Sequence, residues 1–205
     1  MKRNIFTLIF IFFLFNVDAA TFFWTGSANN DWFNANNWTE PFGLGVPGAN
    51  DFVVIQDVFN IPIIDIGEDV VLEGLLIENG GNLFVNIDAT LTINRDDFPT
   101  PSISSGIQDN VCIVLEGLYS RLDIFGTLSI NGVAMRDGSE LIGILNRGLL
   151  FNSGGNSGVI GKININNDVD FGIIANANVI QNRGVLNFNN LDGSVATDRA
   201  AIRVN

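Results

Sequence analysis

The sequence has no histidine and a single cysteine, Cys112. Without histidine, the chain lacks the side chain most often used for proton transfer at neutral pH and for holding transition metals, which excludes most familiar hydrolase machinery. One cysteine cannot form an intramolecular disulfide, so stability must come from packing. Because it lies in the apolar run Val111–Leu115, Cys112 is expected to be a small buried residue rather than a reactive thiol.

Positive charge is also scarce. Ten lysines and arginines stand against 22 aspartates and glutamates, which gives a formal net charge of −12. Such an acidic chain repels phosphate backbones and anionic headgroups, so we expect no nucleic-acid partner. Charged residues make up only 16% of the chain and hydrophobic residues 47%, which argues against disorder. We expect the 205 residues to form one domain.

Only one long hydrophobic run is present, at the amino terminus. Lys2 and Arg3 precede an apolar stretch from Ile5 to Phe15, and small residues follow at Val17–Ala19. This order is typical of a secretory signal peptide, which we predict over residues 1–19. The run of about eleven residues is shorter than the ~20 that span a bilayer, which disfavours an uncleaved anchor. We therefore predict a secreted, extracellular or cell-surface protein with no membrane insertion after cleavage.

From Val53 onward, short runs of Ile, Leu, Val and Phe alternate with polar residues and are interrupted by Gly or Asn-Gly. This period of two predicts β-strands with one buried face. Four runs share one form, in which two apolar residues flank a polar one and asparagine follows: Leu91–Asn94, Leu128–Asn131, Ile163–Asn166 and Leu186–Asn189. Their final asparagines are 37, 35 and 23 residues apart. Such self-similarity predicts a repeat architecture.

Two further pairs of segments resemble each other. The first pair is offset by 36 residues and puts Arg147 and Arg183 at matching positions, where we expect them to stack in register and pair with acids or carbonyls: Ile144–Leu150 and Ile180–Leu186. The second pair is shorter: Leu72–Leu75 and Leu115–Leu118. An antiparallel sandwich has no reason to contain such near-repetition.

The many asparagines and glycines favour a β-solenoid among repeat architectures. Coils stacked at ~4.8 Å turn equivalent positions into ladders, in which asparagine side chains hydrogen-bond along the axis. Both residue types also tolerate the left-handed conformation of coil corners. A coil of ~20 residues would place about seven coils between Asp51 and Asn205, so that offsets near 36 are two short coils or one and a half larger ones. An antiparallel sandwich or barrel is the alternative.

The predicted fold is all-β: a right-handed parallel β-solenoid, or β-helix, over residues 53–205 with an aromatic N-terminal cap over residues 20–52. The cap is predicted from Trp24, Trp32 and Trp38, which lie within fifteen residues of one another and are the only tryptophans. Bulky aromatics folded over the first coil would cover its apolar interior and its unpaired edge.

The same tryptophans have a second interpretation as a carbohydrate platform. Indole faces stack on sugar rings while neighbouring polar groups bind the hydroxyls. The carbohydrate-binding residues would then be Trp24, Asp31, Trp32, Asn37 and Trp38. Asp31 and Asn37 each stand directly before a tryptophan, where turn residues that bond their own backbone are the structural alternative. The sequence leaves both interpretations open.

A spaced set of aromatic, glycine, proline and polar residues precedes the first β-branched strand: Trp24-x-Gly26, Asp31-Trp32, Asn37-Trp38, Pro47 and Asn50-Asp51. This pattern resembles the amino-terminal segment of large secreted or surface repeat proteins of bacteria, notably of the Bacteroidetes type. It is also similar to the start of autotransporter and haemagglutinin-type passenger regions. The resemblance implies a parallel β-helix that serves adhesion.

Acidic pairs are the remaining candidates for chemistry. Asp168 and Asp170 are two residues apart, so on a strand they would share one face and could hold Ca²⁺ or act as paired carboxylates. Asp96 and Asp97 are a further pair. The serines have no histidine to activate them, and Lys162 is the only lysine after the signal peptide. We predict no catalytic residue and no cofactor, with Ca²⁺ at Asp168 and Asp170 as the alternative.

The predicted function is therefore that of a non-enzymatic adhesion or extracellular-matrix protein. Its expected partner is an extracellular glycan or a surface protein. The first alternative is a carbohydrate-binding module that uses the tryptophans, and the second is a β-helix polysaccharide lyase or glycosidase. Because Ala201–Asn205 still alternates like a strand, we also expect that the chain is either a piece of a longer protein or docks its C-terminal coil end-to-end on a partner.

Overall fold

The structure is a computed structural model that describes residues 19–40, 45–95, 110–132, 141–153, 160–166, 171–175, 180–189 and 200–204. Within these ranges the chain is all-β, with eighteen strands and one short 3-10 helix at Ala35–Asn37. The predicted signal peptide falls outside them apart from Ala19. None of the described helical structure has the length and apolar character that crossing a membrane requires.

The strands, β1 to β18 in chain order, form three sheets. Sheet 1 has eight strands: β1 (Thr21–Trp24), β2 (Trp38–Thr39), β3 (Phe52–Ile55), β6 (Gly74–Glu78), β9 (Val111–Glu116), β12 (Ile142–Asn146), β15 (Phe171–Ala175) and β18 (Ala200–Val204). Sheet 2 has five: β4 (Ile63–Ile64), β7 (Asn82–Val85), β10 (Arg121–Ile124), β13 (Leu149–Asn152) and β16 (Ile180–Asn182). Sheet 3 also has five: β5 (Asp69–Leu72), β8 (Thr90–Asn94), β11 (Thr127–Asn131), β14 (Lys162–Asn166) and β17 (Val185–Asn189).

From β3 onward the chain visits the three sheets in turn, so each strand pairs with the strand three positions later. These pairs are all parallel, as are β1 and β3. Among the described pairs only β1 and β2 run antiparallel. Parallel sheets stacked in register are compatible with a β-solenoid. They do not fit the antiparallel sandwich that the sequence left as an alternative.

Inward-facing side chains of the three sheets share one apolar core. In strands such as β6, β8 and β11, every second residue joins this core and aligns with its equivalent on the neighbouring strand, as alternation predicts. One such column in sheet 1 contains Leu75, Ile113, Ile144 and Ile173. Each of these residues is buried.

Sheet 1 is buried on both faces. Its other set of alternate residues forms a second buried cluster in one column: Val54, Leu76, Val114, Leu145 and Ile174. A strand covered on both sides gains from apolar residues at every position. This explains why the sequences of β3 and β9 are continuously apolar instead of alternating.

The four similar runs that end in asparagine are strands β8, β11, β14 and β17, and they are aligned in register. The predicted asparagine ladder is present at their ends. Nδ2 of Asn131 donates to Oδ1 of Asn94 at 2.8 Å, and Nδ2 of Asn166 donates to Oδ1 of Asn131 at 3.1 Å. Asn189 continues the ladder to Asn166 at 2.9 Å. The repeat seen in sequence is therefore a true structural equivalence.

The predicted coil length of ~20 residues fits some of the coils and not others. Leu91 pairs with Leu128 on the next coil, so the 37-residue offset is one coil and not two. Coil spacing also varies, because Val70 pairs with Leu91 only 21 residues later. Six strands of sheet 1, not about seven coils, follow Asp51 in the described residues. The strands align in register although the connections change in length, since a corner can lengthen without moving the register.

The 36-residue match is also not an alignment of coils. Asn146 ends a strand of sheet 1, whereas Asn182 ends a strand of sheet 2. Arg147 and Arg183 consequently do not stack in register, contrary to the prediction. The shared feature is the turn: Oδ1 of Asn146 accepts from Gly148 N at 3.0 Å, and Oδ1 of Asn182 accepts from the equivalent glycine N at 3.3 Å. The shorter match fails likewise, because Leu115 pairs with Ile77.

Corner glycines allow successive coils to approach closely. Gly126 lies between β10 and β11, and its amide donates to the carbonyl of Val85 at 3.2 Å. A Cβ at this position would collide with the backbone oxygens of Asn86 and Ala89 on the preceding coil. Glycine is therefore required here by space rather than by its backbone angles.

Candidate functional site

The three predicted tryptophans meet in one cluster beside the first strands. The ring centroid of Trp38 is 4.7 Å from that of Trp32 and 4.8 Å from that of Trp24, and both contacts are edge-to-face. Nε1 of Trp38 donates to the backbone oxygen of Trp32 at 2.6 Å, and Nε1 of Trp24 to that of Asn60 at 2.7 Å. Trp24, Trp32 and Trp38 are 3%, 0% and 2% exposed. No indole face is therefore open to solvent.

The two polar residues of the predicted carbohydrate site lie differently. Asn37 is buried, and its Oδ1 accepts from the amides of Ala28 and Asn29 while its Nδ2 donates to Asn29 Oδ1 and to the carbonyl of Asp31. The hydrogen bonds of the Asn37 side chain are thus made within residues 28–37. Asp31 is exposed, and its Oδ1 accepts from the amide of Phe33 at 2.9 Å. Of the five predicted residues, only Asp31 is accessible.

Asp31 lies on an open cleft of about 350 Å³ at the start of sheet 2. Its lining is mostly polar: Asn30, Asp31, Ile63, Asp65 and Glu68. The carboxylates are partly used by the fold, because Glu68 Oε2 accepts from the amide of Asp65 at 2.6 Å and Asp65 Oδ1 accepts from Asn86 Nδ2 at 3.0 Å. The cleft therefore offers hydrogen-bond acceptors beside apolar surface.

A row of outward-facing side chains continues from this cleft along sheet 2. Asp31 pairs with Ile63 through a parallel bridge, and the register then aligns one residue from each strand. We call this set the sheet 2 outer row: Ile63, Phe84, Asp123, Phe151 and Gln181. Its neighbours on each strand, such as Leu83 and Leu122, point inward into the core.

The centre of the sheet 2 outer row is organised by Arg121. Its Nε donates to Asp123 Oδ2 at 2.5 Å and its Nη2 to Asp123 Oδ1 at 2.8 Å, a bidentate pair. The guanidinium carbon lies 4.4 Å from the ring centroid of Phe151 and 6.0 Å from that of Phe84. Phe125 stacks on Phe84 with the rings 11° from parallel and their centroids 6.5 Å apart. A cation and three aromatic rings therefore lie together on an outer face.

Exposure in this group decreases towards the sheet. The side chain of Arg121 is 40% exposed, whereas that of Asp123 is 1% exposed beneath it. Phe84, Phe125 and Phe151 are half-buried. The arrangement can present ring surface and a guanidinium to a ligand while the carboxylate fixes the guanidinium in place.

This group of residues was not predicted, because the three tryptophans are the more conspicuous aromatic feature of the sequence. The signal was present in β7 and β13, where Asn82–Val85 and Leu149–Asn152 place a phenylalanine between two inward-facing residues. An apolar ring at an outward position breaks the polar side of the alternation. To place these phenylalanines in one row, the strand register of sheet 2 is needed, and the sequence repeat indicates the register of sheet 3 only.

A buried ion pair lies at the corner between sheets 3 and 1. Nη1 of Arg95 is 3.1 Å from Oε1 of Glu73, with side chains 0% and 5% exposed, and its guanidinium carbon lies 4.8 Å from the ring centroid of Phe52. Cys112 is buried nearby, as predicted. Burial raises the pKa of its thiol to about 12, and Glu73 adds to the rise while Arg95 opposes it. This cysteine is accordingly a packing residue at neutral pH.

The predicted metal ligands Asp168 and Asp170 lie outside the described residues, as do Asp96 and Asp97. Calcium binding there stays a prediction. In the part of the chain that the structure describes, no three histidine, cysteine, aspartate or glutamate side chains are grouped so that they could hold a metal ion.

Comparison with known proteins adds one similarity. Residues 23–114 match the family model of a domain of unknown function, DUF8693. The matched segment is less than half of the chain and contains the tryptophan cluster, the Asp31 cleft and Phe84. No curated protein matches the chain. No solved structure matches it either.

Proposed function

We propose that the protein is a secreted, non-enzymatic, right-handed β-solenoid that acts in adhesion or in extracellular matrix structure. The observation that carries the proposal is the stacking of parallel strands into three sheets, because such a column presents long, regular outer faces to partners. A chain of this kind needs no catalytic centre to function. The resemblance to bacterial surface repeat proteins points the same way.

The proposal includes an N-terminal cap formed by the tryptophan cluster. Burial of Trp24, Trp32 and Trp38 supports it, as does their position beside β1 and β2 at one edge of sheet 1. A cap of this kind covers the apolar interior of the first coil.

Adhesion is tested by coating beads with the mature protein, residues 20–205, and measuring their retention on extracellular matrix and on cell surfaces. Beads coated with albumin are the control for nonspecific retention. We expect specific retention that soluble protein competes away. Retention equal to that of the control beads would contradict the adhesion proposal. Release of new reducing or unsaturated ends from acidic polysaccharides, with or without Ca²⁺, would favour the lyase or glycosidase alternative instead.

Carbohydrate binding is the second candidate function. The observation that favours it is the set of exposed polar groups and half-buried rings on the outer face of sheet 2, beginning at Asp31. A platform on the indole faces would require the tryptophan cluster to open, since those faces are buried. A glycan array with wild-type protein and Trp32→Ala tests that version. Loss of glycan binding without loss of stability would support the indole platform, and loss of stability alone would support the cap.

A further inference from the structure

We propose that the sheet 2 outer row is the glycan-binding surface, and that it takes a neutral, extended polysaccharide chain along the axis of the stacked strands. The proposal rests on carbohydrate binding, the second candidate function, and assigns it to residues other than the tryptophans. Its central contacts would be the rings of Phe84 and Phe151 and the guanidinium of Arg121.

The spacing of the two rings supports an extended ligand. Phe84 and Phe151 align with Asp123 on adjacent strands of sheet 2, so they lie two strand spacings apart, or about 9–10 Å. This separation is close to the length of two sugar residues in an extended chain. Rings at such an interval can contact the apolar C–H faces of alternate sugars.

Arg121 supplies a fixed donor between the rings. Two of its nitrogens are held by Asp123, and its Nη1 has no hydrogen bond among the residues that the structure describes. The side chain is 40% exposed, so this nitrogen can donate to a sugar hydroxyl. Because the guanidinium is already positioned, little conformational entropy would be lost on binding.

The negative charge of the protein should determine which class of polysaccharide binds. The cation of Arg121 is neutralised by Asp123, and the whole chain carries a formal charge of −12. The acidic Asp31 cleft lies at one end of the row. An anionic glycan would be repelled by this field, whereas a neutral one would not.

The test is binding of the mature protein to hydroxyethyl cellulose and galactomannan, two extended neutral polysaccharides, measured by affinity electrophoresis. Polygalacturonate serves as the anionic comparison. Phe84→Leu and Phe151→Leu remove a ring but keep an apolar side chain, and Phe33→Leu is the matched control, since Phe33 is 46% exposed and outside the row. Thermal melting of each variant shows whether it folds.

We expect the wild type to bind at least one neutral polysaccharide more tightly than polygalacturonate. Each row variant should lose about tenfold in affinity, a typical value for one aromatic contact, while it still unfolds cooperatively above the assay temperature and the binding of Phe33→Leu stays unchanged. Undiminished binding by both row variants would overturn this inference and leave carbohydrate binding elsewhere on the protein. Absence of binding by the wild type would overturn carbohydrate binding as well, while adhesion would still be decided by the bead assay.

Discussion

Asn131 donates a hydrogen bond from Nδ2 to Oδ1 of Asn94 at 2.8 Å, although the two residues are 37 positions apart in the chain. Oδ1 of Asn131 also accepts a hydrogen bond from Nδ2 of Asn166, so the Asn131 side chain joins three consecutive coils. The side-chain amides of Asn131 and Asn166, inside the ladder, each serve as both donor and acceptor. The ladder therefore fixes the register of sheet 3 from outside the core.

The position of a residue in the ladder should determine the cost of removing it. Asn131→Ala breaks two side-chain hydrogen bonds and is expected to lower the free energy of unfolding by about 1–2 kcal/mol. Asn94→Ala breaks one of the described bonds and should cost about half as much. Urea unfolding of both variants measures the difference. Equal losses in the free energy of unfolding would mean that the second hydrogen bond of Asn131 adds nothing to stability.

The tryptophan cluster should contribute strongly to stability. Trp32→Ala removes a fully buried indole and is expected to cost about 3–5 kcal/mol. Phe33→Ala is the control, because its side chain is 46% exposed and should change stability by no more than about 0.5 kcal/mol. Weak quenching of tryptophan fluorescence by acrylamide in the native protein would agree with the buried rings, and strong quenching would contradict them.

The buried Glu73–Arg95 pair should be costly to break on one side only. Arg95→Met removes the guanidinium partner of the buried Glu73 carboxylate, and Glu73→Gln removes the carboxylate partner of the buried Arg95 guanidinium. We expect each change to cost about 3–5 kcal/mol. The double variant Glu73→Gln/Arg95→Met should lose less than the sum of the two single losses. Additive losses in a double-mutant cycle would show that the pair is not coupled.

Cys112 should make stability depend on pH in the alkaline range. Its thiol pKa is about 12 in the folded protein against 9.0 as the ordinary value, so the unfolded chain releases this proton first. The stabilisation is complete below pH 9 and is lost as the pH rises towards 12. Subtracting the same profile for Cys112→Val removes the contributions of other groups. A difference that stays flat across this range would contradict the burial of the thiol.

Sheet 3 was predictable because its repeat lies in the side chains themselves. The runs that end at Asn94 and Asn131 have the same alternation, and both the core column and the ladder depend on it. The 36-residue match around Asn146 led to a wrong prediction of stacked coils for a physical reason. An Asn-x-Gly turn satisfies the same backbone geometry at any corner, so it recurs between sheets 1 and 2 and again between sheets 2 and 3.

The candidate site was less predictable than the fold. The sequence picks out Trp32 as an unusual residue, but aromatic rings serve a core and a ligand equally well, and only burial distinguishes the two. Phe84 and Phe151 are 67 residues apart and become neighbours in one row only through the register of β7, β10 and β13. Because the coil lengths vary, no fixed sequence period predicts that register.

The antiparallel pairing of β2 with β1 limits how further strands can be added at this edge of sheet 1. This edge of sheet 1 is closed by a strand of only two residues that runs against its neighbour. A second molecule arriving there would find almost no backbone to extend and the opposite strand polarity. Fibril-like addition of further molecules is therefore disfavoured at this edge, which helps the protein remain dispersed at high concentration.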